Sequence, residues 1–438
     1  ATINALHEYF GFSKKNLKKV IEGNKDSYYV VYKKNMTYDE VAKFQKFLDM
    51  ADDSTKGVSD AKKAKIESAK QVKGISFEED YKRIYPYNSL ACRILGFTSS
   101  GNVGNWGIEQ SYNEQLNGVN GRAYYYFNEE LDQEQTVKEA KNGNSVVSTI
   151  DMQIQKIIEE KLNDFDSKIG SKVTNVLVMD PQNGEILGMA SSNPYDLNEP
   201  MDEKKLLSLY SQSEIDEMKA YTKEKEAEEE ESGEESSEAE TEQEDKDTEK
   251  KKTIYDAFYE LWRNAIISDT NEPGSTYKPF TVATGLESGV LTGNESYFCT
   301  GSLMVGKRNI GCSHIHGNIT LKDAVAKSCN VAMMNIAFNE GAETFYNYQN
   351  LFGFGRSTGI DLPGEAETKN LVYNASNYSN SVTLATNAFG QNFNCTMMQM
   401  AAGFCSLING GNYYRPHIVK QIQSDGGDVV KDVGKEVL

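Results

Sequence analysis

The run "EKEAEEEESGEESSEAETEQEDKDTEK", residues 224–250, limits what this chain can fold into more than any other stretch. Between Lys223 and Lys252 there are fifteen acidic and six basic residues, a net charge of −9 with almost no apolar side chain. Such a segment cannot bury enough apolar surface to offset the entropy of ordering it. The sequence on both sides is patterned for a packed core, so the run reads as an exposed insertion within a folded domain. We place that insertion at about 202–253 and expect it to be disordered.

The remaining composition narrows the class. A length of 438 residues points to two or three folding units. The overall charge of −19 argues against nucleic acid, whose phosphates require a basic surface. No segment reaches the ~20 apolar residues of a membrane span. The longest candidate, "MMQMAAGFCSLI" (397–408), is too short. "ATINALHEYF" lacks the charged start and apolar core of a signal peptide, and the chain opens without methionine. It is therefore expected to be an excised portion of a longer protein.

Residues 1–75 read as a small mixed helix and strand region. "GFTSSGNVGNWGIEQSYNEQLNGVNG" (96–121) reads as strands and loops around a short helix. The character changes near 145: "VVSTIDMQIQKIIEEKL" is a strand followed by a helix capped by Asp151. "VTNVLVMDPQNGEILGMAS" (173–191) is a β-hairpin turning at "DPQNG". These patterns give an α+β chain, with an N-terminal mixed α/β domain over 1–145 and a second domain over 146–438.

Chemistry concentrates at "NEPGSTYKPF" (271–280). Residues i and i+3 share a helix face, so Ser275 and Lys278 become neighbours if a helix starts there. Pro279 cannot supply an N–H to the Ser275 carbonyl, a loss that is small only in a first turn. A hydroxyl beside an amine, at a helix end able to stabilise an oxyanion, suits an acylated serine. Ser-x-x-Lys alone is weak: Ser59 to Lys62 matches it within a polar, Lys-rich segment. Glu272, just before the turn, reads as structural.

A second constellation adds weight. "NITLKDAVAKSCNVAMMNIA" (318–337) opens a helix at Thr320 and Asp323 and reaches Ser328-Cys329-Asn330. Ser328 and Asn330 cannot share a helix face but converge if a turn joins two helices there. "SSN" (191–193) fits Ser-x-Asn too, but Pro194 and a loop follow it. Cys329 reads as a small buried residue.

Ser-x-x-Lys with Ser-x-Asn is the signature of penicillin-binding proteins and class A β-lactamases. "RIYPYNSLACRILGF" with "GIEQSYNEQLNG" resembles the non-catalytic pedestal of class B penicillin-binding proteins. "STIDMQIQKIIEEKL", "VLVMDPQNGEILGMAS", "EPGSTYKPF", "SCNVAMM", "FGFGRSTGIDLPGE" and "AFGQNFNCTMMQMAAGFCSLINGG" resemble successive landmarks of their transpeptidase domain. The resemblance implies an antiparallel sheet flanked by helices and a D,D-transpeptidase that cross-links peptidoglycan stem peptides without a cofactor. Ser275 would attack the D-Ala-D-Ala carbonyl, Lys278 accept its proton, Ser328 relay it and Asn330 hold the donor peptide. β-Lactams would be trapped on Ser275. A membrane anchor outside these residues, an extracytoplasmic location on a bacterial cell and partners such as a glycosyltransferase are also implied. The alternative is a β-lactam sensor, or a scaffold of the wall machinery whose site has decayed.

The sequence departs from the family pattern in one respect. No Lys-[Thr/Ser]-Gly follows Asn330 in the 108 residues that remain. "RSTG" (356–359) belongs to the landmark before "IDLPGE". This stretch on its own is therefore expected to acylate weakly. "CTGSLMVGKRNIGCSHIHG" (299–317) offers Cys299, Cys312, His314 and His316, but at irregular spacing, and His-x-His is not a standard zinc pairing. A disulfide between Cys299 and Cys312 is expected instead, and no metal.

Overall fold

The computed structural model describes residues 1–25, 27, 29–34, 36–77, 82–99, 101–127, 133–232 and 251–438. They form two compact units, Ala1–Lys82 and Arg83–Leu438. The first unit contains the helices Thr2–Phe10, Lys14–Gly23, Tyr38–Asp49 and Asp60–Lys70. The expectation of mixed helix and strand over 1–75 is corrected: its described residues contain helices and no strand. In "YDEVAKFQKFLDMA" the apolar Phe44 and Phe47 recur at helical spacing, and both are buried with Leu6 and Leu17. Thr37 and Glu40 start that helix with a reciprocal capping box. Ser59, half of the decoy Ser-x-x-Lys, accepts from the Lys62 N–H as a helix cap.

In the second unit, Phe97–Thr98 pairs with Gly104–Asn105 around the short helices Gly107–Ser111 and Asn113–Leu116. The buried Glu109 carboxylate accepts from Arg83 Nε at 2.7 Å and from the Tyr85 hydroxyl at 3.2 Å. The division by compactness falls at 82/83, well before the 145/146 position at which the sequence changes character. That later position marks the strand Ser145–Ser148, which pairs antiparallel with Val419–Gln423. Asp361 secures the join: its oxygens accept the N–H groups of Ile418 and Val419 and the Tyr112 hydroxyl.

The hairpin Asn175–Met179 and Ile186–Ser191 forms as read, under the helix Met152–Lys168 that Asp151 caps. Ile154, Ile158 and Leu162 pack on Val176, Val178 and Ala190. Gly188 permits this approach, since a Cβ there would lie 2.7 Å from Ile158 Cδ1. Pairings between strands are antiparallel throughout the described residues.

The expectation of disorder over 202–253 is corrected for its described residues. Within 202–253, Glu203–Leu206 and Gln212–Ser232 are helices. Leu206, Ile215 and Met218 are buried against Phe258, Leu261 and Trp262 of the helix Ile254–Trp262. The sparse apolar residues before Lys223 suffice to dock that helix, so charge alone misplaced the boundary. Residues 233–250 of the acidic run lie outside the described residues.

The helix Asn330–Leu351 breaks at Gly341, whose φ of 76° only glycine adopts readily. Just before it, Glu340 is buried and neither carboxylate oxygen has a hydrogen-bond partner. Burial pushes its pKa up to about 8, against a weaker opposing pull from the Gly285 backbone. The folded state therefore holds this proton more tightly than the unfolded chain. The associated stability is complete below about 4.3, the unfolded carboxyl value, and is lost as pH rises towards 8. Glu340→Gln is expected to flatten the decline in thermal stability across that window. At its upper end the variant should be more stable than the parent, by on the order of a few kcal/mol. A parent and variant with parallel pH profiles would contradict this.

Candidate active site

Ser275 lies in the 3-10 turn Gly274–Tyr277, which feeds directly into the helix Lys278–Glu287. Pro279 explains the tight turn. The Ser275 carbonyl cannot be bonded by residue 279 and accepts from the Lys278 N–H instead. Side chains three apart nearly eclipse in a 3-10 turn, which stacks Ser275 above Lys278. Below them Tyr277 and Phe280 are fully packed, with ring centroids 5.4 Å apart, and Tyr277 sits 5.0 Å from Phe393. At its leading edge the turn is held by Gly274 N–H donating to Gly390 O at 2.7 Å. A Cβ on Gly390 would lie 2.0 Å from that Gly274 carbonyl oxygen. Glu272 accepts the Asn392 N–H at 2.7 Å, the structural role expected of it.

Ser328 and Asn330 do converge through a turn. The helix Leu321–Ala326, capped by Thr320, ends there, and Asn330–Leu351 begins with Cys329 as its cap. Ser328 takes the left-handed conformation, φ 54°, which costs a non-glycine residue about 1–2 kcal/mol. That strain aims its hydroxyl back at the nucleophile turn. Lys278 Nζ donates to Ser328 Oγ, Ser328 O and Asn330 Oδ1, each at 2.7 Å. Ser328 Oγ in turn donates to Ser275 Oγ at 2.9 Å. The four residues singled out from sequence thus form one hydrogen-bonded chain, from Ser275 through Ser328 and Lys278 to Asn330.

Its electrostatics are unusual. Lys278 is only 2% exposed and makes no ion pair among the described residues. Burial holds its amine below the ordinary lysine value, opposed by the nearby Cys312 and Cys329 thiols. Ser275, by contrast, is exposed. A reachable hydroxyl is linked through a second hydroxyl to a buried amine. While the amine is charged, the hydrogen bonds run outward, from lysine to Ser328 to Ser275. Loss of one proton from Lys278 lets both hydroxyls turn, so that Ser275 becomes a donor and a nucleophile.

The other candidates sort clearly. "SSN" (191–193) serves the hairpin: Ser192 Oγ accepts the Thr174 N–H, and Arg93 donates to the Asn193 carbonyl. "RSTG" is a turn pinned by Glu365, which accepts from Thr358 N and Oγ1 at 2.6 Å. The expected Cys299–Cys312 disulfide is absent, and all six cysteines are free. Cys312 Sγ faces Cys329 Sγ at 4.0 Å and His316 Nδ1 at 3.6 Å rather than being bonded to Cys299. Loop closure between near neighbours suggested the pair; the turn after Ser328, which brings in a third thiol, was not visible as a cysteine partner.

Ser328→Gly and Ser328→Ala separate strain from chemistry. Both remove the hydroxyl, but glycine accepts a φ of 54° without penalty. The glycine variant should be more stable to denaturant than the alanine variant by about 1 kcal/mol. Equal stability would mean that the turn relaxes.

Residues 174–437 match the penicillin binding protein transpeptidase domain family, and residues 1–148 match the penicillin-binding protein dimerisation domain. Stage V sporulation protein D of Bacillus subtilis is 28% identical over 366 residues, covering 82% of this chain and 48% of that protein. The probable peptidoglycan D,D-transpeptidase PenA of Neisseria meningitidis is 25% identical over 358 residues, covering 80% and 52%. The chain spans about half the length of these curated relatives. Among solved structures, penicillin binding protein 3 of Mycobacterium tuberculosis complexed with aztreonam superposes with a TM-score of 0.60 at 23% identity, over 81% of this chain and 64% of that one. The chain belongs to the penicillin-binding protein transpeptidase family, as a class B member with a dimerisation-type N-terminal domain.

Proposed function

We propose that this chain carries a serine D,D-transpeptidase that cross-links peptidoglycan stem peptides, with Ser275 as the nucleophile. The observation that carries the reading is the hydrogen bond of Ser328 Oγ to both Ser275 Oγ and Lys278 Nζ. Ser275 Oγ attacks the carbonyl between two D-alanines, and its proton passes through Ser328 to neutral Lys278. The tetrahedral adduct collapses, the peptide C–N bond breaks, and the same proton returns through Ser328 to the departing D-alanine. An amine of a neighbouring stem then attacks the ester, loses its proton along the same route, and Ser275 is regenerated. Asn330 uses one amide proton on Gly311 O, and its second amide proton holds the donor peptide.

The names of relatives as peptidoglycan transpeptidases, and the aztreonam complex of the Mycobacterium tuberculosis protein, support this substrate and β-lactam trapping. The substrate places the reaction on the extracytoplasmic face of a bacterial membrane, beside the glycosyltransferase that makes the glycan strands. The named class needs no cofactor.

Penicillin followed by peptide mass spectrometry should place one adduct on Ser275, and Ser275→Ala should abolish it. An adduct on another residue would refute the assignment. Labelling without exchange of a stem-peptide analogue would indicate a sensor instead.

A neutral Lys278 is favoured by a second cation near it, a part that the lysine of a Lys-Thr-Gly motif is suited to play. Residues 1–438 alone are therefore expected to acylate far more slowly than a chain that adds this motif. Equal rates of penicillin labelling would show that the burial of Lys278 suffices.

A further inference from the structure

Three thiols and an imidazole meet just beneath the Ser328 turn. The Sγ atoms of Cys299, Cys312 and Cys329 and a ring nitrogen of His316 all lie within 4.8 Å of one another. Ligands on a tetrahedral zinc with Zn–S bonds of about 2.3 Å would stand ~3.8 Å apart. The observed 4.0 Å between Cys312 and Cys329 and 3.6 Å between Cys312 and His316 are close to that spacing. From this geometry we infer that Cys299, Cys312, His316 and Cys329 form a closed tetrahedral zinc site.

Each ligand is carried on an ordered backbone. Cys299 ends the strand Ser296–Cys299, and His316 immediately precedes the strand Gly317–Thr320, which pairs with it. Cys312 follows the strand Arg308–Gly311, and Cys329 caps the helix Asn330–Leu351. Two of the sulfurs also accept backbone hydrogen bonds, the kind of outer contact that orients a metal ligand. Cys312 Sγ accepts the Asn330 N–H at 3.3 Å, and Cys329 Sγ accepts the Ala332 N–H at 3.5 Å.

Three thiolates with one imidazole select zinc over magnesium or calcium, which take oxygen ligands. Binding displaces the thiol protons into solvent and leaves the cluster with one net negative charge. Four protein ligands leave no coordination position for water, so the metal is structural and takes no part in acyl transfer. Its placement still bears on the site, because Cys329 sits between Ser328 and Asn330. The metal ties the loop of 299–317 to the turn that presents both groups to Lys278. This inference is independent of the transpeptidase reading.

The test is elemental analysis of protein purified under reducing conditions without chelator, followed by zinc competition with a chromophoric chelator. About one zinc per chain is expected. Cys312→Ser and His316→Ala, both at half-buried positions, should weaken zinc by more than ~100-fold, beyond the 10–100-fold of an outer-shell change. Cys405→Ser, outside the cluster, should not. Cobalt substitution should give thiolate charge-transfer and tetrahedral d–d bands in the parent and lose them in Cys312→Ser. Should either variant fail to fold, the parent decides: a chelator must lower its melting temperature, and zinc must restore it. Metal-free protein that neither binds zinc nor responds to chelator, or a disulfide within the cluster, would overturn the inference.

Discussion

Everything at this site depends on an amine buried without a carboxylate. Lys278 is 2% exposed, and its three acceptors are a hydroxyl, a carbonyl and an amide oxygen, none of them charged. Removing an ammonium from water costs several kcal/mol, and neutral acceptors offset that only in part. The fold therefore holds the group poised to lose its proton. Had an aspartate stood in place of Asn330, the pair would have been more stable as ions and useless as a base. The surrounding architecture serves to keep this arrangement intact. Aromatic rings under Tyr277 and Phe280 fix the helix that carries Lys278, and strain at Ser328 aims the relay.

The site was more legible than the fold. Ser275 and Lys278 are three apart, and Pro279 restricts where a helix can begin, so local rules place them together. Ser328 and Asn330 are two apart, and only a turn between helices reconciles them, as found. What local rules could not supply was direction. Ser328 reaches both Ser275 and Lys278 because its backbone is left-handed, a conformation that nothing in "AKSCNV" announces. The thiol cluster was missed for a related reason. Cys329 was weighed as an isolated buried residue, although the turn that delivers Ser328 also delivers its sulfur to Cys312.

The insertion shows the limit of reasoning from charge. Net charge describes a segment as a whole, whereas docking depends on a few side chains. Leu206, Ile215 and Met218 are enough to seat the residues before Lys223 on Phe258, Leu261 and Trp262. Likewise, buried polar joins such as Glu109 with Arg83 and Asp361 with Tyr112 were not legible in the sequence texture. Those pairs lie 26 and 249 residues apart, beyond the reach of any window.

The most direct measurement is the titration of the Lys278 ε-amine itself, followed by NMR of selectively labelled lysine. A midpoint clearly below the ordinary 10.4 of an exposed lysine is predicted, and it should move back up in Ser275→Ala only slightly, since burial is its main cause. A midpoint at or above the ordinary value would contradict the account, because a lysine charged throughout the working range could not receive the Ser275 proton.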